Sequence, residues 1–157
     1  MEFTQALQRC KAITDVFELV KRIAQKHLGV DQAGLMVGLA DLGAYPRGYI
    51  GAFYAPDANT VVVNRKILER IKRENPDLYY PYLFHVLLHE YIHSLGVYEE
   101  TETRLLTRQI CGQLGDMSVA QLANGAYFPK ITEHAPPEDI TIEYISGIDR
   151  KNTDYIN

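Results

Sequence analysis

Cysteine is scarce, positive charge is not in excess, and long apolar runs are missing; each shortage narrows what this chain can be. Cys10 and Cys111 are the only two cysteines in 157 residues. Far apart and without a framework, they read as small buried hydrophobes in a reducing cytoplasm. A formal net charge of −4 leaves no basic field to recruit nucleic acid or an anionic membrane surface. The apolar runs fall well short of the roughly 18–20 residues that cross a bilayer. The opening "MEFTQALQRC" carries an early acid and lacks the apolar core of a secretory leader. No internal repeat or low-complexity segment interrupts the chain. What is present, 46% hydrophobic and 23% charged residues, suits one soluble cytoplasmic domain with a real core.

Periodicity predicts a helix over 4–28, with Ile13, Val16, Phe17, Val20, Ile23 and Ala24 at spacings of three and four. Gly29 caps it, and Thr14-Asp15 marks a place where it can break and restart. The run "AGLMVGLADL" reads as a buried strand. Two extended arms, 50–55 and 60–64, flank the turn formers "PDAN" and predict a hairpin. Asn64 is placed to cap a helix over "RKILERIKRE", which Asn75-Pro76 stops. A helix from about 77–81 to Leu95 follows, then Gly96, then a helix over 99–111. "MSVAQLANG" suggests one more short helix and "DITIEYISG" a strand, with a polar tail behind it. The expected fold is α/β (α+β): a small, mostly antiparallel sheet packed on helices. An N-terminal helix, a core of about 30–112 and a tail of about 115–157 make one domain.

The chemistry concentrates in "LLHEYIHSLGVYEETETR", residues 87–104. Four residues are slightly more than one helical turn, so His89 and His93 project from one face and can reach one metal ion. Glu90 lies about 100° further round the helix. From there it can approach a water on the metal without ligating the metal, as a general base must. Three polar groups on an otherwise apolar helix need an explanation, and a bound zinc ion supplies one. His85 extends the stripe by a turn. The outer two histidines stand about 12 Å apart along the axis, too far to share an ion, so His85 reads as a supporting or surface group.

Gly96 forces the chain to fold back before a third ligand can arrive. If Leu105, Leu106 and Ile110 mark the inward face of the second helix, stepping back by three and four reaches Glu102. Glu99 lies one turn earlier on nearly the same face, and Glu100 is expected to point away. Glu99 also stands where the third histidine of His-Glu-x-x-His-x-x-Gly-x-x-His would be, with Met117 available as a Met-turn, so a metzincin-like register competes. The expected order is Glu102, Glu99, Glu100.

His89-Glu90-x-x-His93 followed shortly by a glutamate-bearing helix resembles the gluzincin metallopeptidases. The small single-domain layout, with the hairpin "GAFYAPDANTVVVNR" ahead of the active-site helix, is similar to the minimal soluble members called minigluzincins. The resemblance covers roughly residues 48–112. It implies a zincin-like fold and one Zn²⁺ per chain on His89, His93 and most readily Glu102, with Glu90 as general base. The N-terminal helix and the tail lie outside it. Leu106 stands where larger gluzincins carry an acid supporting the ligand glutamate.

The expected activity is therefore zinc-dependent hydrolysis of peptide bonds, endopeptidic in kind, on a peptide or protein lying extended along residues 50–55. Tyr91, Tyr98, Tyr127, Tyr144 and His134 are the candidates for stabilising the oxyanion. Two further readings stand beside it. The tail "ITIEYISGIDRKNTDYIN" either crosses the cleft as an added strand and holds the enzyme latent, or packs on the outside. The domain is alternatively a non-catalytic zinc-binding interaction module, although Glu90 has no task in a purely structural site.

Overall fold

A computed structural model describes residues 2–43, 50–125 and 140–146. In chain order the elements are α1 (Phe3–Gln8), α2 (Ile13–Leu28), β1 (Met36–Ala40), β2 (Ala52–Ala55) and β3 (Thr60–Asn64). They continue with α3 (Arg65–Glu74), a 3₁₀ turn over Pro76–Leu78, α4 (Tyr79–Ser94), α5 (Glu100–Gly112), α6 (Met117–Ala123) and β4 (Glu143–Tyr144). This is the expected α+β class, with a mixed four-stranded sheet.

The N-terminal helix breaks earlier than the sequence suggests. Asp15 causes the break by reaching back: its carboxylate accepts from the backbone N–H groups of Lys11 and Ala12 at 2.8 and 3.1 Å. Those bonds satisfy donors that the first turn of α2 cannot satisfy itself. Gly29 ends α2 in the left-handed conformation at φ 73°, as a C-terminal cap should.

Strand order is β2-β3-β1-β4. The expected hairpin pairs Ala52 with Val63 and Ala55 with Thr60 in antiparallel register. Asn59 closes its turn at φ 46° and accepts from the Tyr54 hydroxyl and the Gln32 amide at 2.8 and 3.0 Å. β3 runs parallel to β1 along its whole length. β4 pairs antiparallel with Gly38 and Leu39 of β1, at the edge opposite β2. Ile142 lies where a side chain on residue 38 would stand, so only glycine at 38 admits the C-terminal segment.

Period-two alternation gives the sheet two apolar faces. Val37, Leu39, Val61 and Val63 face the helices, whereas Ala40, Val62 and Phe53 join Ile50, Ile140 and Ile142 on the other side. Asn64 fixes the end of β3. Fully buried, it caps α3 through Lys66 N–H at 3.2 Å and donates to the carbonyls of Gly43 and Ile50 at 2.9 Å each.

α4 is apolar on most of its circumference and is correspondingly central. Phe17 of α2 meets Tyr91 edge to face at 5.8 Å, and Phe3 of α1 meets Phe84 at 4.7 Å. The N-terminal helices therefore belong to the same core as the motif helix. Cys10 and Cys111 are both buried free thiols. Among the described residues no helix is long and apolar enough to cross a membrane.

A candidate metal centre between two helices

α4 ends at Ser94, and Gly96 reverses the chain at φ 105°, where a β-carbon would be strained. The connection is short, and α5 begins at Glu100. Its first residue meets both motif histidines. One carboxylate oxygen of Glu100 lies 2.7 Å from Nε2 of His89 and the other lies 3.0 Å from Nε2 of His93. The two imidazole rings stand edge to face, 4.9 Å between centroids. The three donor groups lie within 4.8 Å of one another, each half-buried.

The sequence-level ranking of the acids is thus reversed. Glu102 is exposed. Glu99 is exposed as well and caps α5, accepting from the N–H groups of Thr101 and Glu102 at 3.1 and 2.7 Å. Those two bonds hold its carboxyl below the usual range. The physical reason is the phase of α5. Its inward residues are Thr103, Thr107, Ile110 and Cys111, while Leu105 is 50% exposed. Both threonines return their hydroxyls to their own helix, Thr103 to Glu99 O at 2.9 Å and Thr107 to Thr103 O at 2.7 Å. Polar residues can then face the core without leaving a donor unsatisfied. Stepping back three from Thr103 reaches Glu100.

The donor set fits a divalent cation. Nδ1 of His93 lies 2.7 Å from the Val97 carbonyl, which only accepts, so Nδ1 carries the proton. In the neutral ring Nε2 then turns its lone pair toward an oxygen of Glu100. Two electron-rich atoms at 3.0 Å require a proton or a metal ion between them. Two imidazoles and a carboxylate form a ligand set suited to zinc and its neighbours among the divalent transition metals. Without a metal, the histidine contacts supply the charge: hydrogen bonds from His89 and then His93 pull Glu100 far below the carboxylate range. Burial opposes charging of His93, but Glu100, the charge of Glu90 and the Val97 carbonyl outweigh it and raise its pKa. Arg104 adds a weaker contact to Glu100 at 3.4 Å from a half-exposed position.

Glu90 is buried, 8% exposed. Burial pushes its carboxyl upward, His89 and His93 pull it partly back, and Glu100 opposes them. Such a carboxyl is a better proton acceptor than a solvated one. His85 does not join the cluster. Burial drives its pKa down to about 4, its Nδ1 finds no well-aligned partner among the described residues, and its ring abuts Tyr82.

The oxyanion candidates also sort. The Tyr91 hydroxyl accepts from Gln32 N–H at 2.9 Å within the core beside α2. Tyr144 sits on β4 at the far edge of the sheet. Tyr98, 67% exposed, lies in the connection between His93 and Glu100 and adds to burial in raising the pKa of the Tyr54 hydroxyl of β2. Tyr127 and His134 lie outside the described residues, as do residues 147–157 of the tail. The described part of the tail, 140–146, packs on the far edge and face of the sheet, which is the outside alternative.

Comparison of the chain with protein-family models, with curated proteins and with solved structures gives no significant match.

Proposed function

We propose that the protein is a zinc-dependent peptidase of gluzincin-like type, holding its metal on His89, His93 and Glu100. One observation carries the reading: a single carboxylate spans the Nε2 atoms of a His-Glu-x-x-His pair, with the intervening glutamate buried beside them. Three protein ligands leave a coordination position open, as hydrolytic sites do and structural sites usually do not. A zinc ion held by His89, His93 and Glu100 would supply Lewis acidity toward a carbonyl and toward water near neutral pH. Glu90 takes a proton from the attacking water and returns it to the leaving amine. Its upward-shifted carboxyl is suited to both transfers.

β2 is the longer of the two edge strands among the described residues, and it packs beside α4. An extended peptide would add to it as another strand through main-chain hydrogen bonds, which favours cleavage within a chain. Tyr98, exposed in the connection between His93 and Glu100, is the described candidate for stabilising the oxyanion.

The test is metal content together with cleavage of a mixed peptide pool, with and without a chelator. Chelator-sensitive cleavage that zinc restores supports the peptidase. Stoichiometric zinc without cleavage favours the interaction module. Absence of zinc at saturating concentrations sinks both.

A further inference from the structure

We infer that Thr103 is a positioning residue that sets His93 for metal binding and couples it to Glu100; the inference rests on the metal site proposed above. Thr103 is fully buried, and its Oγ1 has three polar neighbours, one on α4 and two in the 95–99 connection. They are Nδ1 of His93 at 3.3 Å, the Val97 carbonyl at 3.0 Å and the Glu99 carbonyl at 2.9 Å. The hydroxyl has one proton to give. Donated to Glu99 O, it leaves a lone pair facing Nδ1–H of His93. Donated to Val97 O, it anchors the carbonyl that accepts from that same Nδ1–H at 2.7 Å. In both arrangements the surroundings of Nδ1 only accept, so the ring proton stays there and Nε2 is left free to bind a metal.

The position in the helix matters equally. Glu100 and Thr103 are three residues apart on α5 and share a face. One side chain therefore ties α4, the 95–99 connection and α5 together beside the ligand atoms. The spacing between His93 and Glu100 depends on that tie. Metal-ligating histidines commonly direct their second nitrogen to a carboxylate or backbone carbonyl. Here a connecting-loop carbonyl, steadied by a threonine hydroxyl, takes that place.

The experiment measures zinc affinity by competition with a chromophoric chelator in the full chain and its variants. Thr103→Val keeps the shape and removes the hydroxyl, and zinc affinity is expected to fall about tenfold or more. Thr103→Ser restores the hydroxyl and should bring affinity back close to wild type. Thr107→Val is the matched control: it deletes an equivalent buried hydroxyl on the same helix, 2.7 Å from Thr103 O, with no histidine contact. Its affinity should be unchanged. Thr103→Ala replaces the valine variant if that protein does not fold. Proton exchange in the metal-free protein gives a second readout: the Nδ1–H of His93, held between the Val97 carbonyl and the Thr103 hydroxyl in wild type, should exchange with water faster in Thr103→Val and at the wild-type rate in Thr107→Val. Wild-type affinity in the hydroxyl-less variant, or equal losses in Thr103→Val and Thr107→Val, would overturn the inference while leaving the metal site standing. Failure of the wild-type protein to bind zinc would overturn the metal site itself.

Discussion

Glu99 and Glu100 are adjacent in the chain and turn to opposite tasks. Glu99 closes the N-terminus of α5 on its own backbone, while Glu100 reaches across to both histidines of α4. Single alanine substitutions separate three acids that composition cannot. Glu100→Ala should weaken zinc binding by orders of magnitude. Glu102→Ala, on the exposed face, should leave it unchanged. Glu99→Ala should keep the metal and lower the melting temperature slightly through loss of the cap. Isothermal titration and thermal melts of the three variants check the assignment, and metal loss confined to Glu102→Ala would refute it.

Glu90→Gln should lose hydrolysis by at least about 10²-fold while zinc stoichiometry holds. A second effect follows from burial. The carboxyl pKa lies above its unfolded value, so at neutral pH ionisation favours the unfolded chain. The neutral amide removes that penalty, and the metal-free variant should melt a few degrees higher. Unchanged peptide cleavage by the variant would exclude Glu90 as the base.

His85 makes the metal-free fold sensitive to mild acid. Its folded pKa, about 4, lies below the ordinary 6.5. The unfolded chain therefore binds a proton that the folded one refuses, and stability falls as pH drops from about 6.5 toward about 4. Between pH 7.5 and 4.5 this residue's share is on the order of 2–3 kcal/mol. Urea unfolding with chelator present should show His85→Leu losing that much less stability than wild type over the interval. Parallel losses in the two proteins would rule the residue out.

Gly38→Ala places a methyl group against Ile142 and the Glu143 carbonyl. Overpacking of this kind typically lowers stability by about 1–3 kcal/mol. Because β4 lies at the edge opposite β2, cleavage per folded molecule should not change. Increased turnover in the variant would instead point to a tail that restrains the site.

Local signals in the sequence carried much of this architecture. Asn64 caps α3, Gly29 ends α2, and the turn formers at 56–59 join the two strands they were expected to join. The His89-Glu90-x-x-His93 face was legible because four residues on a helix fix relative direction whatever surrounds them. The third ligand was not, because the phase of α5 depends on which side chains tolerate burial. Leu105 and Leu106 advertise an inward face, yet Thr103 and Thr107 take it by bonding to their own helix. Asp15 misled in a similar way: its effect falls on Lys11 and Ala12, four and three residues before it.

All three side chains that could hold a metal ion lie between residues 89 and 100, twelve consecutive positions. Chain closure over so short a stretch carries a small entropic penalty. The cluster can therefore assemble as soon as α4 and α5 meet, before the sheet has closed. Metal uptake would then act as a clasp on one helical hairpin, and the amide hydrogens of residues 89–103 should gain more exchange protection from zinc than those of β1 and β4.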